Sequence, residues 1–196
     1  LGKDGSLPWS KTYTRKDAAI PVPLYLNRVV STLDTGTLLV ADAPSEIVKL
    51  NSFGEVLWAK KPQLPSQSTY GLRAALEDES GNIYVGGMVP LTDYGDQDAW
   101  IMKLDATGHL LWSKHFGRPE LIEKITDMTF VGQDIVAIGT RFGDQDPDPR
   151  TQSFALRITR NGTLVWLTDI KGCGGTENLS LTRLALSQDG DLIAGG

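Results

Sequence analysis

One short phrase recurs along this chain at a fixed interval. Gly54, Gly108 and Gly162 are each followed four residues later by Trp58, Trp112 and Trp166, so 54 residues separate successive copies. Gly5 and Trp9 show the same offset 49 residues before the first of them. A period of this length constrains the fold more than any local propensity, because each copy must be a supersecondary unit that buries its faces against its neighbours.

Around each glycine the sequence reads as a hairpin: KLNSFGEVLW from Lys49, KLDATGHLLW from Lys103 and RITRNGTLVW from Arg157. Glycine and asparagine at the tip tolerate the positive φ that a tight connection needs. Between these hairpins lies a second phrase, SGNIYVGG at 80–87 and DGDLIAGG at 189–196, with looser forms in DTGTLLVAD from Asp34 and GQDIVAIGT from Gly132. Each is a short β-rich run opened by a turn residue. The apolar segments before them, including YGLRAALEDES with its helix-favouring alanine and leucine, are short and bounded by turns, which predicts strands there too.

Each period therefore holds four strands, exemplified by an inner one over 121–131, then 134–140, 152–159 and an outer one over 163–170. Four-stranded antiparallel units repeated radially predict an all-β fold, a β-propeller. The expected blades span 22–61, 68–115 and 121–170, with partial blades at 1–14 and 177–196, all within one domain. Because DGDLIAGG stops where a further hairpin is due, a segment of a larger ring is preferred to a closed four-bladed one. Trp9, Trp58, Trp112 and Trp166, with Gly5, Gly54, Gly108 and Gly162, are then structural repeat positions. An indole at one register in every unit is best explained by a contact made in every unit. An aromatic platform for a sugar or a base is the functional alternative.

The run Ser80-Gly-Asn-Ile-Tyr-Val-Gly-Gly87, then Asp96-Gln-Asp-Ala-Trp-Ile-Met-Lys-Leu-Asp105, then Gly108-His-Leu-Leu-Trp112 and Phe116-Gly117, resembles the SBBP-type bacterial β-propeller repeat. The resemblance covers most of the chain and is strongest over 80–117. It implies an extracellular, cell-surface or periplasmic protein and a scaffold rather than a defined activity. KLDATGHLLW is also similar to the outer hairpin of PQQ-like quinoprotein propellers. Those enzymes use a vicinal cysteine pair or a pocket rich in His and Arg, whereas this chain has one cysteine, Cys173, and two histidines, so no quinone is expected.

A net charge of -5 and a pI near 5.0 argue against nucleic acid or an anionic membrane surface as partner. No apolar run is long enough to span a bilayer as a helix. His109 and His115 read as surface positions, which leaves no histidine-based metal cluster or Ser-His-Asp relay. The acidic loops are the one candidate metal site. Asp144, Asp146 and Asp148 alternate as the first ligands of a calcium loop do, and Asp93, Asp96 and Asp98 form a looser set. Pro149 stands where such a loop needs glycine, and Ala155 where it needs a bidentate glutamate. Solvated turn chemistry is the preferred reading of these loops, with calcium and a partner or ligand contact as the alternatives. Asn161-Gly-Thr163 and Asn178-Leu-Ser180 fit the glycosylation pattern.

The sequence thus predicts a binding or structural scaffold with no cofactor, calcium being the candidate ion, and with a protein or carbohydrate partner and further blades of the same chain as its contacts. Two other readings stay open. One is a calcium-stabilised adhesion module. The other is a carbohydrate-active or quinone-linked enzyme with a central-channel pocket, to which Arg73, Glu77, Asp127 and Arg183 would contribute charge.

Overall fold

The computed structural model describes residues 10–13, 25–42, 45–62, 71–90, 97–119, 121–142, 152–171 and 179–196. Among these no residue is helical. Unit 1 is an antiparallel meander of β1 (Leu26–Ser31), β2 (Thr37–Ala41), β3 (Glu46–Leu50) and β4 (Val56–Lys60). Unit 2 repeats it as β5 (Ala74–Glu77), β6 (Ile83–Pro90), β7 (Gln97–Leu104) and β8 (Leu110–Phe116). Unit 3 is β9 (Ile122–Val131), β10 (Asp134–Phe142), β11 (Gln152–Thr159) and β12 (Leu164–Ile170). A hairpin of β13 (Arg183–Leu186) and β14 (Leu192–Gly195) begins unit 4. Units 2 and 3 are linked by a parallel bridge between Gln97 and Ile122.

The second and third strands carry apolar residues on both faces, and each face meets a different neighbour. Ile83, Val85, Trp100 and Met102 of unit 2 pack on Leu38, Val40 and Ile47 of unit 1. From the opposite face, Tyr84, Ala99 and Ile101 pack on Ile125, Ile135, Phe154 and Leu156 of unit 3. Period-two alternation thus sends successive side chains of one strand into two different cores. Burying both faces explains why these strands read as continuous apolar runs rather than as alternating ones. The first strands of successive units also touch, β1 against β5, β5 against β9 and β9 against β13.

The outer hairpins close as their sequences predict. Gly54, Gly108 and Gly162 have φ of 70°, 81° and 79°. The residue three positions earlier caps each turn with its side chain. Asn51 Oδ1 accepts from the amides of Phe53 and Glu55, Asp105 Oδ1 from those of Thr107 and His109, and Thr159 Oγ1 from those of Asn161 and Thr163. Three chemically different residues satisfy one requirement, an oxygen within reach of two turn amides.

Candidate functional site

The most repetitive chemistry lies at the junctions between units. The Trp58 indole donates Nε1–H to the Ala106 carbonyl at 3.2 Å, and Trp112 donates to the Arg160 carbonyl at the same distance. Each ring lies on the glycine two residues further along: a Cβ on Gly108 would sit 3.1 Å from Trp58 Cδ2, and one on Gly162 would sit 3.3 Å from Trp112 Cε3. The repeated glycine and the repeated tryptophan are therefore two halves of one contact, made by successive units. Trp166 holds the same register but is 37 % exposed. Gly5 and Trp9 lie outside the described residues. Tyr13, four residues past Trp9, donates its hydroxyl to the Gly54 carbonyl at 2.7 Å and packs on Leu39, Val48 and Leu50.

A second tie joins the inner strands. Asn27 Nδ2 donates to the Leu72 carbonyl at 2.7 Å, and Thr126 Oγ1 donates to the Leu181 carbonyl at 2.8 Å. The two pairs occupy matching registers of β1 and β9, so units 1 and 2 are joined as units 3 and 4 are. Lys49, Lys103 and Arg157, at one position of the third strand, each face an acid near the inner hairpin of their own unit. Their partners are Asp34 at 3.0 Å, Asp78 at 4.0 Å and Asp134 at 2.7 Å. Lys49 also reaches across the junction to Glu77 of unit 2 at 3.3 Å, with both side chains buried. Asp78 would be raised by burial, but donors on Asn82, Ser80 and Tyr84 outweigh this and hold its carboxyl below the usual range.

The four charged residues expected to face a centre are engaged. Glu77 pairs with Lys49, Arg73 reaches Asp42 at 3.4 Å, and Arg183 donates to the Thr182 carbonyl. Asp127 is 2 % exposed and accepts from Arg28 and from the amides of Met128 and Leu184.

Of the six aspartates predicted as calcium ligands, Asp93, Asp96, Asp144, Asp146 and Asp148 lie outside the described residues. Asp98 is described, at the start of β7, and is buried. Its Oδ2 meets His115 Nδ1 at 2.5 Å. His115 is 57 % exposed, in keeping with the surface position read from sequence, and is tethered there to a buried carboxylate. Behind the pair, Glu123 of unit 3 is 4 % exposed, with Oε1 accepting from the Arg118 amide and Oε2 unpaired. Desolvation, reinforced by the Asp98 charge, raises the Glu123 carboxyl to about 7. Gly117 makes room for both acids, since a Cβ there would collide with Asp98 Oδ1 and lie 3.1 Å from Glu123 Oε2. Sequence reasoning missed Glu123, and nothing in its local sequence marked it. Arg118 and Arg141 both reach Asp169 nearby, at 3.2 and 2.8 Å. Among the described residues no group of three or more His, Cys, Asp or Glu side chains has metal-binding geometry.

No protein-family model matches this chain. No curated protein matches it either. Among solved structures it is similar to a protein of unknown function from Bacteroides caccae, with a TM-score of 0.51 and 13 % identity over 90 % of this chain. The chain spans 56 % of that protein's length. At this identity the likeness concerns the fold alone.

Proposed function

We propose that the chain is a segment of a β-propeller that serves as a non-catalytic binding scaffold, with its four-stranded units as blades. One observation carries this reading: the tryptophan-on-glycine contact and the inner Asn/Thr tie recur between successive units at matching registers. Inner strands that touch in sequence, together with sheets packed face to face, are the ingredients of blades around an axis. Every residue of β14 is exposed, whereas its counterparts β2, β6 and β10 are largely buried, and in a propeller strands of the same repeat cover such surfaces. The resemblance to SBBP-type repeats supports an extracytoplasmic setting, and no helix of the described residues is long and apolar enough to cross a membrane.

The arrangement is tested by spin labels in pairs. Labels at Leu57, Leu111 and Val165 report the outer strands, and labels at Leu33, Ser80 and Gln133 report the inner hairpins. Blades around an axis require outer distances between neighbours to exceed the inner ones. Equal inner and outer spacings, as in a straight stack of sheets, would overturn the reading.

A further inference from the structure

Units 2 and 3 meet through the only parallel strand pairing among the described residues, Gln97 of β7 with Ile122 of β9. The Gln97 amide donates to the Leu121 carbonyl there at 3.2 Å. The next residue on each strand is an acid, Asp98 and Glu123, and both are buried. The residues 54 positions earlier are Pro44 and Thr69, so the repeat does not require carboxyls at these positions.

Gly117 lets the two acids crowd together. A Cβ there would collide with Asp98 Oδ1 and lie 3.1 Å from Glu123 Oε2, so these two oxygens border the same space. Their other oxygens are committed, Asp98 Oδ2 to His115 Nδ1 and Glu123 Oε1 to the Arg118 amide. Glu123 Oε2 is buried and receives no donor among the described residues. A carboxylate removed from water needs donors, and two carboxylates in one site do not both ionise readily. A neutral Glu123 meets both demands, with its proton on Oε2 and Asp98 Oδ1 as the neighbouring acceptor. The other charges around it are engaged. Arg118 of the connecting turn and Arg141 of β10 pair with Asp169 of β12, and Lys124, next on β9, has Arg73 and Asp42 as its charged neighbours. The burial that lifts the Glu123 carboxyl to about 7 supports the same assignment.

We infer that Glu123 and Asp98 form a proton-held latch on the strand link between units 2 and 3, closed while Glu123 carries its proton and loosened when the proton leaves. Loss of the proton sets two buried negative charges against each other, and parting β9 from β7 lets water reach both. The joint is thus tight in acid and more compliant above neutrality. This holds whether or not the units are set around an axis.

Native-state hydrogen exchange of the full chain tests the latch, read at the Gln97 amide after correction for the intrinsic pH dependence of exchange. A carboxyl that titrates near 7 when closed and near 4.5 when open makes Gln97 about tenfold less protected at pH 8 than at pH 6. In Glu123→Gln the protection should stay level over that range. In Asp98→Asn, which removes the opposing charge, the midpoint of the fall should move to lower pH. Because the opening is local, urea below the unfolding transition should leave Gln97 exchange nearly unchanged while speeding that of the buried Ile101 amide. A fall that persists in Glu123→Gln, or a midpoint unmoved in Asp98→Asn, overturns the carboxyl pair. Level protection in the wild type, or Gln97 exchange that follows urea as steeply as Ile101 does, overturns the latch.

Discussion

Arg28 Nη2 in the first strand of unit 1 lies 2.9 Å from Asp127 Oδ1 in the first strand of unit 3. Both residues stand at the same register, opposite Val40 and Ile138 of their second strands. A side-chain ion pair that skips a whole unit requires the first strands to converge, whatever the outer strands do. Arg28 is 28 % exposed, but Asp127 is 2 % exposed, so the carboxylate depends on its partners for the solvation it has lost.

Removing the partner therefore costs more than a surface pair would. Arg28→Gln is expected to destabilise by about 2–3 kcal/mol, because a buried charge is left with only two amide donors. Asp127→Asn should cost less, about 1 kcal/mol, since Arg28 can turn to water. Urea unfolding of the two single variants and the double one measures the coupling directly. A coupling near zero would show that the strands do not converge.

Trp58 and Trp112 rest on the glycine of the following unit, while Trp166 is more open. Trp58→Ala and Trp112→Ala are expected to lose about 2–3 kcal/mol each through packing and the indole hydrogen bond. Trp166→Ala should lose less than about 1 kcal/mol in this chain. Chemical denaturation of the three variants tests the order, and equal losses would contradict a role in joining units.

Glycines of similar φ separate strain from contact. Gly190 has φ of 88° and an open side, whereas Gly108 has φ of 81° with Trp58 and Lys60 over it. Alanine at 190 should cost about 1 kcal/mol from the left-handed conformation alone. At position 108 it must also push the indole aside, so a loss about 1–2 kcal/mol larger is expected in the same assay.

Glu123 sets a pH dependence of definite sign. Its carboxyl is raised from 4.5 to about 7, so the folded state holds this proton more tightly than the unfolded state does. The contribution is fully favourable below about 4.5 and is lost as pH rises towards 7. Glu123→Gln keeps the neutral form at every pH. Relative to wild type it should be about equal in Tm at pH 4, and higher by about 2–4 °C at pH 8. A constant difference across that range would remove Glu123 as the cause.

Asp98 is held by His115, so the scaffold reading expects Tm to be unchanged, within about 1 °C, by calcium addition or by chelation. A larger rise with calcium, abolished by Asp144→Asn with Asp146→Asn, would instead establish the calcium-stabilised module.

The strand content, the order of strands within a unit and the turn glycines were legible from residues alone. A fixed period, tip glycines and paired apolar runs are local properties, and backbone conformation responds to them directly. Trp58, Trp112, Gly108 and Gly162 were visible as positions, but not as two halves of the same contact. That joining needs the relative placement of two sheets. His115 shows the limit most plainly, since nothing near it in sequence marks a buried Asp98 on the neighbouring strand or Glu123 in the next unit.

Periodicity by itself determined that this chain is a row of antiparallel units, because each unit's hydrogen bonds close within about 50 residues. Only the tertiary structure decided which faces meet and which charges share a proton-sensitive corner. Those properties arise from side chains far apart in sequence that compete for the same space, and the volume between two sheets is not encoded at any one position.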